Sequence, residues 1–272
     1  MSTRIITLLT DFGSEDYFVG AMRGVILTRS PKSTLVDITH TIPPRDVRAA
    51  AFTLSRAYPY FPAGSIHLAV VDPGVGSDRR PVLIEAAAHL FVGPDNGLFT
   101  LVLEQVTTAL IRHLTNTAYF LPDRSSTFHG RDIFAPVAAA LAEGVPPENF
   151  GPTIQNPIQF EMTRSESMAD GSMAGRIIHI DHFGNCVTNL ASDRLLSLST
   201  ARPFYLQVRE FQIRKLARSY CEGAAQPGRP FLICGSAGLL EISIWSSSAA
   251  QELNINVGEP VLLTQPASLK NL

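Results

Sequence analysis

The chain has 272 residues, a net charge of −2 and only 17% charged residues, whereas an average soluble domain has about 25%. This composition argues against a basic nucleic-acid binder, which needs clustered lysine and arginine, and against a disordered chain, which needs low hydrophobicity. The apolar runs are too short to cross a membrane and the start has no signal-peptide pattern, so we expect a cytoplasmic protein whose sparsely charged surface is covered in part by another subunit.

The first half of the chain alternates short apolar runs with segments of helical period. Runs typical of strands occur at 5–9, 34–38, 66–71, 81–85, 90–92 and 109–113, and helical spacing occurs at 17–28, 46–58, 97–104 and 132–142. Asp46 follows two prolines and is the expected N-cap of the second helix. Strands that alternate with helices predict an α/β domain with a mostly parallel sheet.

The second half of the chain has a different character. Four prolines between 146 and 157 break regular structure, and few helical periods follow them. Runs typical of strands occur at 176–180, 186–190, 204–208, 231–234, 239–245 and 261–264. We therefore predict two domains, an N-terminal α/β domain over 1–160 and a small C-terminal antiparallel β-barrel domain over 161–272.

Acidic side chains follow two of the predicted strands. Asp11 ends the first strand, with Asp16 shortly after it, and Asp72 ends the third. Side chains at the carboxyl ends of parallel strands face the crevice where α/β sheets bind ligands, and a carboxylate there often binds ribose hydroxyls. The Pro-Gly-Val-Gly turn after Asp72 can bring Arg79 back to its carboxylate. The alternatives are a turn or capping role for Asp11 and a plain surface ion pair for Asp72 and Arg79.

His129 is the strongest candidate for proton transfer. It lies in the sequence Phe-His-Gly-Arg-Asp at 128–132, directly before a predicted helix. A histidine titrates near neutral pH, and a helix N-terminus favours anions. The alternative is a histidine with a purely structural role.

Two motifs in the second half could bind a base or an amino acid. Asp181, Phe183 and Asn185 lie within five residues at a strand turn, where a ring can stack on a base and an amide can meet its edge. A stretch of small residues that contains Ser236 is followed by Glu241 within a strand. The alternatives are an ordinary β-turn and an ordinary hairpin.

In their order along the chain these motifs resemble the S-adenosylmethionine hydroxide adenosyltransferase family, which is related to the fluorinase and chlorinase enzymes. The resemblance runs from Thr10 to about Ile242 and rests on TDFG at 10–13, DPGVGS-x-R at 72–79, PDNG at 94–97, FHGRD at 128–132, DHFGN-x-x-TN at 181–189 and GS-x-G-x-LEI at 235–242. It implies an N-terminal α/β domain, a C-terminal β-barrel domain and a homotrimer. In such a trimer the site lies between the N-terminal domain of one subunit and the C-terminal domain of its neighbour.

The resemblance also implies a role for each site residue. Asp72, Arg79 and His129 match the family's water-activating triad. The residues that match its substrate contacts are Asp11 for the ribose hydroxyls, Asp16 near the methionine amine, Phe128 as an aromatic wall, Asp181, Phe183 and Asn185 for methionine and adenine, Ser236 and Glu241 for the methionine side, and Ser246 in the segment that offers backbone groups to adenine. The chain departs from the family pattern at Gly235 and Trp245, since an asparagine is expected at each of these positions.

The implied reaction is attack of water or hydroxide on the ribose 5′ carbon of S-adenosyl-L-methionine, which gives adenosine and L-methionine. The neutral thioether needs no acid to leave, so no cofactor or metal is expected, and the three cysteines include no CxxC pair. One alternative is a chlorinase-like halogenase, in which a halide attacks the same carbon and the triad has no use. Another is a non-catalytic protein that binds adenosine or S-adenosylmethionine, which would not need His129.

Overall fold

The computed structural model describes residues 4–161, 164–193 and 203–265. The chain divides into two compact units, Met1–Phe160 and Glu161–Leu272. The strands and helices of the first unit are, in order, β1 (Ile5–Thr10), α1 (Phe18–Arg29), β2 (Thr34–Thr39), α2 (Val47–Ala57), β3 (Ile66–Val70), β4 (Pro81–Ala86), β5 (His89–Pro94), α3 (Thr100–Glu104), β6 (Ala109–His113), α4 (Ala135–Ala142) and β7 (Thr153–Ile154).

The seven strands of the first unit form one sheet in the order β2-β1-β3-β5-β4-β6-β7. The three pairings among β2, β1, β3 and β5 are parallel, and the three among β5, β4, β6 and β7 are antiparallel. The prediction of a mostly parallel sheet was therefore wrong, and the sheet is mixed. The cause is a tight hairpin between β4 and β5, in which Ala87 and Ala88 both have positive φ. A two-residue turn of this kind joins antiparallel strands.

Helices cover both faces of this sheet. Met22 and Ile26 of α1 pack with the alanine-rich α4 against one face, and Ala50 and Leu54 of α2 pack with α3 against the other. Asp46 caps α2 as predicted, since its carboxylate accepts a hydrogen bond from the Ala49 amide at 2.9 Å. A sheet buried on both faces needs mainly apolar strands, and β1 and β3 are apolar apart from Thr7 and Thr10 in β1 and His67 in β3.

Two buried histidines form a pair between the neighbouring strands β3 and β5. His67 in β3 pairs through Nδ1 with the Thr7 hydroxyl at 2.8 Å and through Nε2 with His89 Nδ1 at 3.2 Å. Burial, aided by the neighbouring His89, lowers the pKa of His67 from 6.5 to about 3. The ring is thus held neutral, and these polar partners were not anticipated from the sequence.

The second unit is mainly β-structure. Its strands and helix are β8 (Glu166–Ser167), β9 (Met173–Ile180), β10 (Cys186–Ala191), β11 (Tyr205–Val208), β12 (Phe211–Ile213), β13 (Leu216–Ala217), β14 (Pro230–Cys234), β15 (Leu239–Ile244), α5 (Ala249–Glu252) and β16 (Pro260–Thr264). They form a nine-stranded sheet in the order β12-β11-β16-β9-β10-β15-β14-β13, with β8 beside β9. All pairings are antiparallel except β13 with β14.

This sheet curls into a half-barrel around an apolar core. Ile177 of β9, Leu206 of β11, Ile242 of β15 and Val261 of β16 all face that core. The antiparallel character was predicted correctly, whereas a closed barrel stays a prediction. In the parts of the chain that the structure describes, no helix has the length and apolar character needed to cross a membrane.

Candidate active site

Asp11 and Asp72 follow two neighbouring parallel strands. β1 pairs with β3 so that Thr10 lies opposite Val70, and the chain leaves both strands at the same edge of the sheet. That edge is where open α/β sheets bind their ligands. The register of two strands therefore brings two of the predicted site residues to one side of the first unit.

The turn after Asp72 returns Arg79 to the Asp72 carboxylate. Arg79 Nε donates to Oδ1 and to Oδ2 of Asp72, each at 2.9 Å, and Arg79 Nη2 also donates to Oδ2. The Arg79 side chain is 7% exposed and that of Asp72 is 6% exposed. Breaking an ion pair that is shielded from water costs more free energy than breaking an exposed one. Asp72 and Arg79 are therefore not the plain surface ion pair that was the alternative prediction.

Arg79 also contacts His129, and this contact decides where the imidazole carries its proton. Arg79 Nη2 lies 2.9 Å from His129 Nδ1. A guanidinium only donates, so Nδ1 accepts and the proton of the neutral ring sits on Nε2. Burial and the Arg79 charge lower the pKa of His129, against the opposing charges of Asp72 and Asp132. His129 is therefore neutral near pH 7 and presents an N–H donor.

Gly76 allows the turn after Asp72 to lie close to the loop that carries His129. A Cβ on Gly76 would lie 2.5 Å from the Ser126 carbonyl oxygen, and the φ of Gly76 is +82°. Only glycine suits both the close approach and the left-handed conformation. Beyond His129, a π-helical turn at Gly130–Phe134 runs into α4, so the predicted single helix from residue 132 is in fact a π-turn followed by an α-helix.

Phe128 belongs to a cluster of aromatic rings beside the triad. Its ring centroid lies 5.2 Å from that of Phe18, 5.9 Å from that of Phe12 and 6.4 Å from that of Tyr17. Phe128 is buried, whereas Tyr17 is 67% exposed. Phe128 was predicted from the sequence, whereas its three partners were not, although helical spacing and the TDFG motif could have indicated them. Asp16, next to Tyr17, is exposed.

The loop that follows β2 holds Asp11 in place. Asp11 Oδ2 accepts a hydrogen bond from the Arg45 amide at 2.7 Å, and Arg45 has an unusual φ of 68°. The Gly13 amide donates to the His40 carbonyl at 2.8 Å. His40 Nδ1 pairs with the Thr10 hydroxyl at 2.9 Å. These contacts, which the sequence analysis missed, leave Oδ1 of Asp11 without a hydrogen bond to any residue that the structure describes.

In the second unit, Asp181 organises the turn between β9 and β10. Its Oδ1 accepts hydrogen bonds from the amides of Phe183 and Asn185, and its Oδ2 accepts one from Asn185 Nδ2 at 2.8 Å. Phe183 is 74% exposed at the tip of this turn. Asn185 is buried, and its side-chain oxygen has no partner within the described ranges, so the amide retains an acceptor for a ligand.

Glu241 lies close to Asp181 and is buried. Burial, followed by the Asp181 charge, raises the pKa of Glu241, and a hydrogen bond from the Tyr220 hydroxyl at 2.9 Å opposes this rise. Ser236 and Ser246 are exposed, and Ser246 has a φ of 53°. Trp245 packs on a small apolar cluster of Ala217, Phe231 and Ile233, so its side chain serves the core.

The chain matches two domain families and several relatives over nearly its whole length. Residues 6–151 match the SAM hydroxide adenosyltransferase N-terminal domain, and residues 175–262 match the C-terminal domain. A protein of Thermus thermophilus named (R)-S-adenosyl-L-methionine hydrolase is 38% identical over 96% of this chain and 99% of the relative. A Salinispora tropica protein of the same name is 39% identical over 95% of this chain and 97% of the relative.

A more distant relative and a solved structure also match the chain. A fluorinase of an Actinoplanes species is only 25% identical over 96% of this chain and 97% of the relative. The crystal structure of an uncharacterized conserved protein from Thermotoga maritima has a TM-score of 0.88 and 34% identity, and the match covers 96% of this chain and all of that one. The similarity thus extends along both units.

Proposed function

The chain belongs to the SAM hydroxide adenosyltransferase family, and from this we propose that it hydrolyses S-adenosyl-L-methionine to adenosine and L-methionine. Four relatives at 35–39% identity carry the name of this hydrolase. The observation that carries the proposal is the contact of Arg79 with both Asp72 and His129. A halide nucleophile needs no such triad, and the fluorinases are the more distant relatives.

We assign the reaction to in-line attack on the ribose 5′ carbon. The sulfonium leaves as a neutral thioether and takes the electrons of the C–S bond, so the protein need not protonate it. The remaining task is to hold the water and accept its proton. His129 Nε2–H donates to the water oxygen and fixes its position. Among the described residues Asp72 Oδ1 accepts one hydrogen bond, from Arg79, so it retains a lone pair for the proton that the water loses as the O–C bond forms.

The substrate contacts follow from the remaining site residues. Asp11, whose Oδ1 accepts no hydrogen bond from a described residue, binds the ribose hydroxyls. The Phe128 ring packs against the sugar and the sulfonium. Asp16 lies towards the methionine amine. A second group of residues takes adenine and the rest of methionine, namely Asp181, Phe183, Asn185, Ser236, Glu241 and the backbone at Ser246.

We further propose a homotrimer in which the first unit of one subunit and the second unit of its neighbour share a site. The low charge of the chain supports this, because subunit interfaces are depleted in charged residues. The exposed Tyr17 and Phe183 rings support it as well. Mixing His129→Ala subunits, which should lose turnover, with Glu241→Ala subunits, which should bind substrate weakly, tests the shared site at low S-adenosylmethionine concentration, since activity above that of either variant returns only when a site draws its two halves from different subunits.

Chromatography of the products tests the function directly. We expect purified protein to convert S-adenosylmethionine to equal amounts of adenosine and methionine. If 5′-chloro-5′-deoxyadenosine is the main product when chloride is added, the protein is a halogenase. Binding of S-adenosylmethionine without release of adenosine would make it a non-catalytic binding protein instead.

A further inference from the structure

One oxygen of the buried Glu241 carboxyl is held and the other is left open. Tyr220, in a 3-10 helix at Tyr220–Ala225, donates its hydroxyl to Glu241 Oε2 at 2.9 Å. Glu241 Oε1 accepts no hydrogen bond from a described residue, and it is not one of the fully enclosed side-chain atoms that lack a partner in the described part of the chain. The carboxyl group is therefore fixed on one side and available to a donor on the other.

Gly235 provides the space in which this carboxyl group lies. A Cβ on Gly235 would stand 1.8 Å from Glu241 Oε1 and 2.3 Å from Cδ. Gly235 does not have positive φ, so the missing side chain, and not the backbone conformation, makes glycine necessary here. Any larger side chain at position 235 would therefore occupy the space in which the Glu241 carboxyl group lies.

We propose that Tyr220 is a positioning residue, which holds the Glu241 carboxylate over Gly235 so that Oε1 meets the primary ammonium of the methionine portion of the substrate. This inference rests on the proposed function. An ammonium group offers three donors, and a buried carboxylate with one open oxygen is a suitable acceptor. The hydroxyl of Tyr220 also favours the charged form of Glu241, which burial and Asp181 oppose.

The groups that face Glu241 from the surrounding elements are few. On the neighbouring strands its register partners are Val187 of β10 and Ile233 of β14, which do not titrate. Tyr220 and Asp181 are the titratable groups near it. Loss of the Tyr220 hydroxyl therefore leaves burial and Asp181 unopposed, and the pKa of Glu241 rises further.

The experiment compares Tyr220→Phe and Gly235→Ala with Tyr205→Phe, a control in the same unit. We expect Tyr220→Phe to raise the KM for S-adenosylmethionine roughly tenfold and to change kcat by less than about twofold. The inhibition constant of L-methionine should rise by a similar factor while that of adenosine stays unchanged. Gly235→Ala leaves Tyr220 in place but displaces the carboxyl group, so it should raise KM in the same way.

The pH profile separates positioning from a general loss of structure. In wild type KM should rise on the acid side as Glu241 takes up a proton, and in Tyr220→Phe this rise should begin at a higher pH. If KM changes in neither variant, or only kcat falls, or the acid limb does not move, the inference is wrong while the proposed hydrolysis stands. If wild type releases no adenosine, the proposed function itself fails.

Discussion

Replacing Arg79 with leucine removes the guanidinium that joins Asp72 to His129. The substitution deletes every hydrogen bond that Asp72 accepts from Arg79 and the one that His129 accepts. The Asp72 side chain, 6% exposed in the folded chain, then remains as a buried charge without its partner. Removing one member of a buried pair typically costs about 3–5 kcal/mol. For a unit of this size, a loss of that order lowers Tm by roughly 6–20 °C.

Thermal and urea unfolding measure this loss, and Arg112→Leu is the matched control. Arg112 pairs with Glu85, and their side chains are 14% and 31% exposed, so this more accessible pair should contribute less to stability, on the order of 1 kcal/mol. Adding Asp72→Asn to Arg79→Leu removes the stranded charge and should restore part of the stability. The reasoning is refuted if Arg79→Leu is no less stable than Arg112→Leu, or if the second substitution lowers stability further.

Three further predictions concern single residues. His129→Gln keeps an N–H donor, so it should retain more turnover than His129→Ala, and both variants should bind adenosine as wild type does. An equal loss of kcat in the two variants, measured by steady-state kinetics, would contradict the donor role of His129. Gly76→Ala places a Cβ 2.5 Å from the Ser126 oxygen. This variant should lose about 1–3 kcal/mol of stability, and its kcat should also fall. A melting curve identical to that of wild type would contradict this prediction. His67 has a pKa of about 3 in the fold against 6.5 when unfolded, so the unfolded chain binds the proton more tightly. The free energy of unfolding should therefore be highest above pH 6.5 and fall by up to about 1.4 kcal/mol per pH unit as pH drops towards 3; urea unfolding that shows no such slope would count against the buried pair.

Local motifs were the part of the molecule that the sequence predicted well. The return of Arg79 to Asp72 follows from a short turn in which Pro73 restricts the backbone and Gly74 and Gly76 permit a tight reversal. The Asp46 cap and the placement of Asp11 and Asp72 at strand ends also follow from neighbours in sequence. Such features depend on a few adjacent residues, so their local geometry can be predicted from the sequence.

Contacts between distant segments could not be predicted in the same way. The Arg45 amide reaches Asp11 from 34 residues away and Tyr220 reaches Glu241 from 21 residues away; only packing decides such pairs. The mixed sheet was missed for a different reason. The hairpin between β4 and β5 turns on two alanines with positive φ, where Asn-Gly or Gly-Gly would have been the usual signal.

An isotope label on the water oxygen shows whether water attacks the ribose 5′ carbon. The purified protein is incubated with S-adenosylmethionine in water enriched in oxygen-18, and the masses of the products are measured by mass spectrometry. The account predicts one heavy oxygen in adenosine, at the 5′ hydroxyl, and none in methionine. Adenosine without the heavy oxygen, or a product other than adenosine and methionine, would contradict attack of water on the ribose 5′ carbon.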